Sequence, residues 1–172
     1  MYKSETSKIY HLIEDYFNES LKVCDIGFGG HKVVEYADGI DLPTPYAHTG
    51  DHKVDIPCDV SKGIPVDDNV YDIVYSSHLI EDFEDTNEIL TEFIRILKNK
   101  GKLMLVFPDQ PTYALTCKLT GQPFNTAHKI HNMGYHYMIK RLDELPVDYK
   151  MLLSSDRDID YNVVMVLEVE KK

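Results

Sequence analysis

The residues of this chain best placed to do chemistry are acids, glycines and histidines at the ends of apolar runs. Val23-Cys24-Asp25-Ile26-Gly27-Phe28-Gly29-Gly30 passes abruptly from an apolar run carrying one acid into closely spaced glycines. Glycine accepts unusual dihedrals at such a turn and lets backbone N–H groups approach a bound molecule. Asp41 and Asp59 end two later runs, where an aspartate either caps a turn or accepts hydrogen bonds from a ligand. The run from Tyr71 to Ser76 leads into Ser77 and His78. An imidazole titrates near neutral pH, so His78 can act as a base or cap the element that follows. His128 and His131, with His136 nearby, and the pair His48 and His52 have spacings that could address a metal ion. No helical pattern surrounds His128, so these histidines are read as structural or substrate-contacting, and no metal is expected.

The elements that must position these groups alternate between strand and helix patterns. Ile9, Leu12, Ile13, Tyr16 and Phe17 recur at helical spacing. Leu21–Ile26, Ala37–Asp41, Val54–Cys58, Tyr71–Ser76 and Leu103–Phe107 read as buried strands, and residues 31–36 leave room only for a short helix. Asp85-Thr86-Asn87-Glu88 has capping-box character and opens a helix with Ile89, Leu90, Phe93, Ile94 and Leu97 as its stripe. Asn99-Lys100-Gly101 carries its stop signals. Residues 110–138 are rich in Thr, His, Tyr, Gly and Pro without a clean period. They are expected to form a long functional loop or lid with a short helix near Tyr113–Leu119, since so long a stretch inside a domain is more often functional than inert. A helix over Ile139–Leu145 and two strands, Tyr149–Ser154 and Asn162–Val169, complete the chain. Strands alternating with helices imply a mostly parallel sheet covered on both faces.

The 172 residues suffice for one domain with a real core, taken as 1–172. With 29 acidic and 18 basic side chains the formal charge is −11, which argues against broad nucleic-acid binding. The apolar runs are too short to span a bilayer, and Met1-Tyr2-Lys3-Ser4-Glu5 holds no apolar signal core. Cys24, Cys58 and Cys117 are odd in number and lack metal-ligand spacing, so free thiols in a reducing cytoplasm are expected.

In this order the segments resemble the class I S-adenosylmethionine-dependent methyltransferases. Val23–Gly30 is similar to the family's first-strand motif, Gly39-Ile40-Asp41 to its second strand end, Pro57-Cys58-Asp59-Val60 to its third motif, and Tyr71–Glu81 to its fourth strand and exit. The resemblance implies a Rossmann-like three-layer αβα sandwich, with a mostly parallel seven-strand sheet ending in a C-terminal antiparallel hairpin. It also implies S-adenosylmethionine as cofactor. Gly27, Phe28 and Gly29 would lie under its methionine end, with Asp25 supporting the turn or facing the ammonium. Asp41 would accept from the ribose diol, since an ionised carboxylate accepts two hydrogen bonds. Asp59 and Val60 would meet the adenine, Ser76 and Ser77 the methionine backbone, and His78 would face the methyl group.

The implied reaction is in-line transfer of the methyl group to an acceptor oxygen or nitrogen, accelerated largely by proximity. If the acceptor must lose a proton, His78 or one of His128, His131 and His136 is the candidate base. Small molecules and sugar-type acceptors are preferred. No Asn/Asp-Pro-Pro-aromatic segment of the base-methylating enzymes follows the fourth strand, and residues 110–138 are the sole acceptor-side insertion. The departures from the pattern are specific. His31 stands where a third glycine is common, Phe28 replaces a small residue, and Glu81-Asp82 replaces a frequent Glu-His. Gly27 to Asp41 is short for a crossover helix. These departures keep open a second reading, a binding or scaffold protein without turnover. A nicotinamide dehydrogenase would need glycine where Lys32 stands.

Overall fold

Ser4 starts the first helix. Its Oγ accepts from Ser7 N at 3.3 Å, while Ser7 Oγ donates to Ser4 O at 2.7 Å, which satisfies the first turn of α1 (Glu5–Ile13). The computed structural model describes residues 4–45 and 47–172, apart from the side chains of 158 and 159. The first three residues, part of the stretch read for an apolar leader, lie outside the described residues. The strands are β1 (Val23–Ile26), β2 (Asp38–Asp41), β3 (Ile56–Pro57), β4 (Tyr71–Ser77), β5 (Leu97–Pro108), β6 (Val147–Ile159) and β7 (Asn162–Lys171). They form one seven-stranded sheet in the order β3-β2-β1-β4-β5-β7-β6. Only β7 runs against its neighbours, so the expected terminal hairpin is present.

Alternation along the central strands makes two cores. Ile73, Tyr75, Met104 and Val106 face α1, where Ile9 and Ile13 are fully buried. Val74, Leu103, Leu105 and Phe107 face the other way, toward α2 (Thr86–Ile96) and α4 (Tyr135–Asp143). Asp85 caps α2 by accepting from Asn87 N and Glu88 N, and Leu90 and Phe93 of that helix are fully buried. Each such side chain contributes about 1.5–3 kcal/mol of burial. Among the described residues, no helix is long and apolar enough to cross a membrane.

Four local expectations differ. Residues 31–36 form no helix, because the stretch from Gly27 to Ala37 is shorter than the dozen or so residues a helical crossover needs. The third strand shrinks to Ile56–Pro57, since only Ile40 and Asp41 are there to pair with. The stripe of α2 stops at Ile96. Leu97 is already extended and pairs with Tyr71, and Asn99-Lys100-Gly101 lies within β5, at an irregularity where Lys100 has φ 61° before Gly101 pairs with Val169. Finally, residues 110–138 hold more helix than their composition shows. Asp109 caps α3 (Gln110–Thr120) through Thr112 N at 3.1 Å, with Pro111 in the first turn, and α4 begins at Tyr135.

Candidate active site

The strand order places the site. After β1 the chain moves to one side through β2 and β3, and β4 returns to the other side of β1, so a crevice opens at the carboxyl ends of β1 and β4. Ile26 is level with Ile40 and with Ser76, which brings Gly27, Asp41 and Ser77 to one edge. Gly27, Gly29 and Gly30 all have positive φ (74°, 57° and 86°), the conformation for which glycine was expected. In place of a crossover helix, a loop folds back over this turn. Thr49 N and Gly50 N donate to Gly29 O at 3.0 and 3.2 Å, and His52 N donates to Gly30 O at 3.1 Å.

Two hollows meet at Gly27. The first, of about 160 Å³, is lined by Asp41, Asp59, Val60 and Asp82, with Leu79 and Phe83 among its apolar walls. The second, of about 190 Å³, is lined by Phe28, Gly29, Ser77 and His78, and by Glu5, Thr6 and Thr49. Thus Gly27, Phe28, Gly29, Asp41, Asp59, Val60, Ser77 and His78 all reach the cleft. Ser4, Glu5, Thr6, Ala47 and Thr49 were missed because nothing local marks them: α1 and the 47–52 loop arrive there by tertiary packing. A separate hollow of about 330 Å³ lies between α1 and residues 31–35, beside the 2.7 Å contact of His52 Nε2 with Glu35.

Three expected residues line neither hollow. Ser76 is buried, and its Oγ donates to Ile26 O at 3.0 Å, tying β4 to β1. His128 is 7% exposed and lies behind Glu81, with Nδ1 2.7 Å from Gln110 Nε2. Asp25 is 1% exposed, and its Oδ2 accepts from Val33 N at 2.6 Å, which holds the shortened crossover in place of a ligand. Its supporting role is therefore structural: Asp41, with Oδ2 3.2 Å from Gly29 N and Oδ1 2.8 Å from Leu42 N, is the acid that braces the glycine turn. The turn's own amides are partly occupied, since Gly27 N donates to Ile40 O at 2.8 Å and Gly29 N to Asp41.

Burial pushes the Asp25 carboxyl up to about 8. Asp41 adds to the rise, while the Val33 N–H and Lys32 oppose it. The folded chain therefore keeps a proton that the unfolded chain releases near 3.8, and the stability this proton contributes is lost as pH rises from about 4 to about 8. Melting curves should show Asp25→Asn declining less over that range than the parent chain. Equal declines would contradict the assignment.

His78 sits at φ 51° directly after β4. Its Nε2 lies 2.7 Å from Asn162 Oδ1 and its Nδ1 3.4 Å from Glu81 Oε1. Burial disfavours the charged ring, yet Glu81, with Glu5 and Asn162 behind it, outweighs burial and raises the pKa above the usual histidine value. For His128 burial wins, and its pKa is lowered. From His78 an aromatic patch runs outward: Tyr161 stands edge-on to it at 6.1 Å, Tyr113 lies 5.0 Å from Tyr161, and Phe124 lies 5.2 Å from Tyr113.

The sheet, parallel but for β7, thus carries at its switch point two adjoining hollows, with glycines on one side and strand-end acids on the other. Residues 24–105 match the family model described as methyltransferase domain. Among solved structures, the YcgJ protein from Bacillus subtilis is similar with a TM-score of 0.67 and 12% identity, over 96% of this chain and 98% of that one. An S-adenosylmethionine-dependent methyltransferase from Mesorhizobium loti follows at 0.65 and 13%, over 93% and 97%. The methyltransferase CalH, solved with S-adenosylhomocysteine, is similar at 0.65 and 16%, over 94% of this chain and 54% of that one. No curated protein matches the sequence. The four motifs lie in order on this sheet, the methyltransferase-domain model covers just under half of the chain, and the fold is the one these solved structures share.

Proposed function

We propose that the protein transfers a methyl group from S-adenosylmethionine to an oxygen or nitrogen of a small-molecule or sugar-type acceptor. The observation that carries this reading is the pair of hollows meeting at Gly27, with Asp41 and Asp59 at successive strand ends. The residues suit the cofactor. The first hollow offers apolar walls with acids at its edge, as an adenosine requires, and in the second the glycine turn presents backbone at Gly27 and Gly29 with Phe28 between them. An alanine Cβ at Gly27 would lie 2.8 Å from Leu79, on the wall of the first hollow. When bound, the cofactor supplies an electrophilic methyl group on sulfur.

The chain's own residues bind, orient and exclude water. Asp41 accepts from the ribose hydroxyls while keeping Gly29 N–H, since a carboxylate oxygen has two lone pairs. Asp59 already accepts from Ser61 N and Oγ and pairs with Lys62 at 2.8 Å, so it contributes less to the adenine than Asp41 does to the ribose. Val60 packs against the ring. His78 is ill placed to be the cleft's base: an amide oxygen on one nitrogen and a carboxylate facing the other leave it no lone pair to use. Residues 110–138 with Tyr161 form the acceptor wall, where half-buried Tyr113 and Phe124 offer ring faces to a sugar or small ring.

One observation favours the second reading, a cofactor-binding protein without turnover: neither His78 nor His128 presents a free basic nitrogen to the cleft. Titration calorimetry with S-adenosylmethionine tests the shared premise. Heat saturating in the micromolar range is expected, and none at high micromolar concentration would remove the cofactor from the account. Formation of S-adenosylhomocysteine with an added acceptor separates turnover from binding alone.

A further inference from the structure

Glu81 is fully buried, and the groups facing its carboxylate are His78 Nδ1 at 3.4 Å and His128 Nε2 at 3.7 Å. The amides on the outer side of each ring assign the protons. Gln110 Nε2 can only donate, so His128 Nδ1 accepts and its ring proton sits on Nε2, toward Glu81. Asn162 Oδ1 can only accept, so His78 Nε2 carries a proton, and a second on Nδ1 faces the carboxylate. A buried acid is thereby matched by one imidazolium and one neutral N–H.

The contacts continue toward the cleft. Asn162 Nδ2 donates to Glu5 Oε2 at 3.2 Å, and His78 Nε2 itself lies 4.0 Å from that oxygen. Lys8 holds the other oxygen at 3.0 Å and is shared with Asp160 at 3.1 Å. Groups from every side of His78 are thus accounted for. Glu5 and Lys8 come from α1, and Glu81 from the turn after β4. Tyr161 comes from the turn before β7, Asn162 from the first position of β7, and His128 from residues 121–134 beyond Glu81. Among the described residues lining the glycine-side hollow, Glu5 is the one carboxylate.

We infer that the row Glu81–His78–Asn162 fixes Glu5 as the carboxylate that reads the positive charge of the methyl donor, with Glu81 as its positioning residue. The inference rests on the proposed cofactor. With adenosine in the first hollow, the amino-acid end and the sulfur fall to the second. S-adenosylmethionine carries an ammonium and a sulfonium, whereas the product keeps the ammonium and has a neutral thioether. A carboxylate held in place there binds donor more tightly than product and so favours product exchange. Without its charged partner, His78 would give up its Nδ1 proton and with it the positive charge 4.0 Å from Glu5 Oε2, and Glu5 would be free to turn outward with Lys8.

Calorimetry on the full chain with three probes, S-adenosylmethionine, S-adenosylhomocysteine and 5′-methylthioadenosine, tests this. Glu5→Gln lies at the partly exposed first turn of α1 and should keep its fold. It is expected to weaken the donor about tenfold or more, the product less, and methylthioadenosine, which lacks the amino-acid end, not at all. Glu81→Gln should reduce the donor-to-product preference in the same direction. It should also move the His78 ring resonances to titrate at lower pH, a change that mere loosening of the core would not single out. Equal losses for all three probes, or no loss, in Glu5→Gln would overturn the inference. So would Glu81→Gln with both the preference and the His78 titration unmoved. If the parent chain bound none of the probes, the cofactor reading itself would fall, a result distinct from these.

Discussion

Gly50→Ala is expected to destabilise the chain by about 2–3 kcal/mol and to weaken cofactor binding with it. A Cβ at this position would overlap the Gly30 carbonyl, and it would also lie 2.8 Å from His31 Nδ1. The carbonyl is backbone and cannot rotate aside, so the 47–52 loop must lift. Lifting it breaks the three hydrogen bonds from Thr49, Gly50 and His52 that close this loop over the glycine turn. For a chain of this length the cost appears as a fall in melting temperature of about 4–12 °C. Gly121→Ala is the control. Its φ is 71°, but nothing lies within 4 Å of the added carbon, so only the left-handed backbone is strained, by about 1 kcal/mol. Similar losses for the two variants would mean that contact between loop and turn is not what Gly50 provides.

Asp41→Ala is expected to weaken S-adenosylmethionine and S-adenosylhomocysteine alike by about 1–3 kcal/mol, or roughly 5- to 150-fold. Two effects act together: the ribose loses its acceptor, and Gly29 N–H loses the oxygen 3.2 Å away that braces the turn. Asp59→Ala should lose less, because that carboxylate already serves Ser61 and Lys62. Calorimetry on both variants checks the order, and a larger loss at Asp59 would reverse the assignment of ribose and adenine ends.

What could be read from residue order was what local chemistry controls. The glycine turn needs positive φ, Asp41 and Asp59 end apolar runs, and Asp85 caps a helix whose stripe is regular, so each has a signature within a few residues. Leu97–Gly101 misled because Asn, Lys and Gly are stop signals for a helix and equally tolerate a bulge in a strand. Pairing of Leu97 with Tyr71 decided between the two, and pairing is not local. The helix over 110–120 was undercounted because its apolar residues do not repeat on one face; Leu115 and Leu119 are exposed, and its start is set by Asp109.

The candidate site divides in the same way. Its floor comes from strand ends and was legible; its cover comes from Ser4, Glu5 and Thr6 of α1 and from Thr49, which sit far from the motifs in sequence. Asp25 shows the limit of carrying a role by position. The shortened crossover leaves Val33 N without a helical partner, and the Asp25 carboxyl turns inward to supply one. His78 lines the second hollow, but its protonation depends on Asn162, 84 residues away, and on a buried Glu81 that resembled a lost motif.

A crystal structure with S-adenosylhomocysteine would show the binding mode outright. The adenosine is expected between Leu79, Val60 and Phe83, with its ribose hydroxyls on Asp41, and the amino-acid end past Gly27 toward Glu5 and His78. Density for the ligand in the hollow between α1 and residues 31–35, or an adenosine on the Glu5 side of Gly27, would contradict this placement.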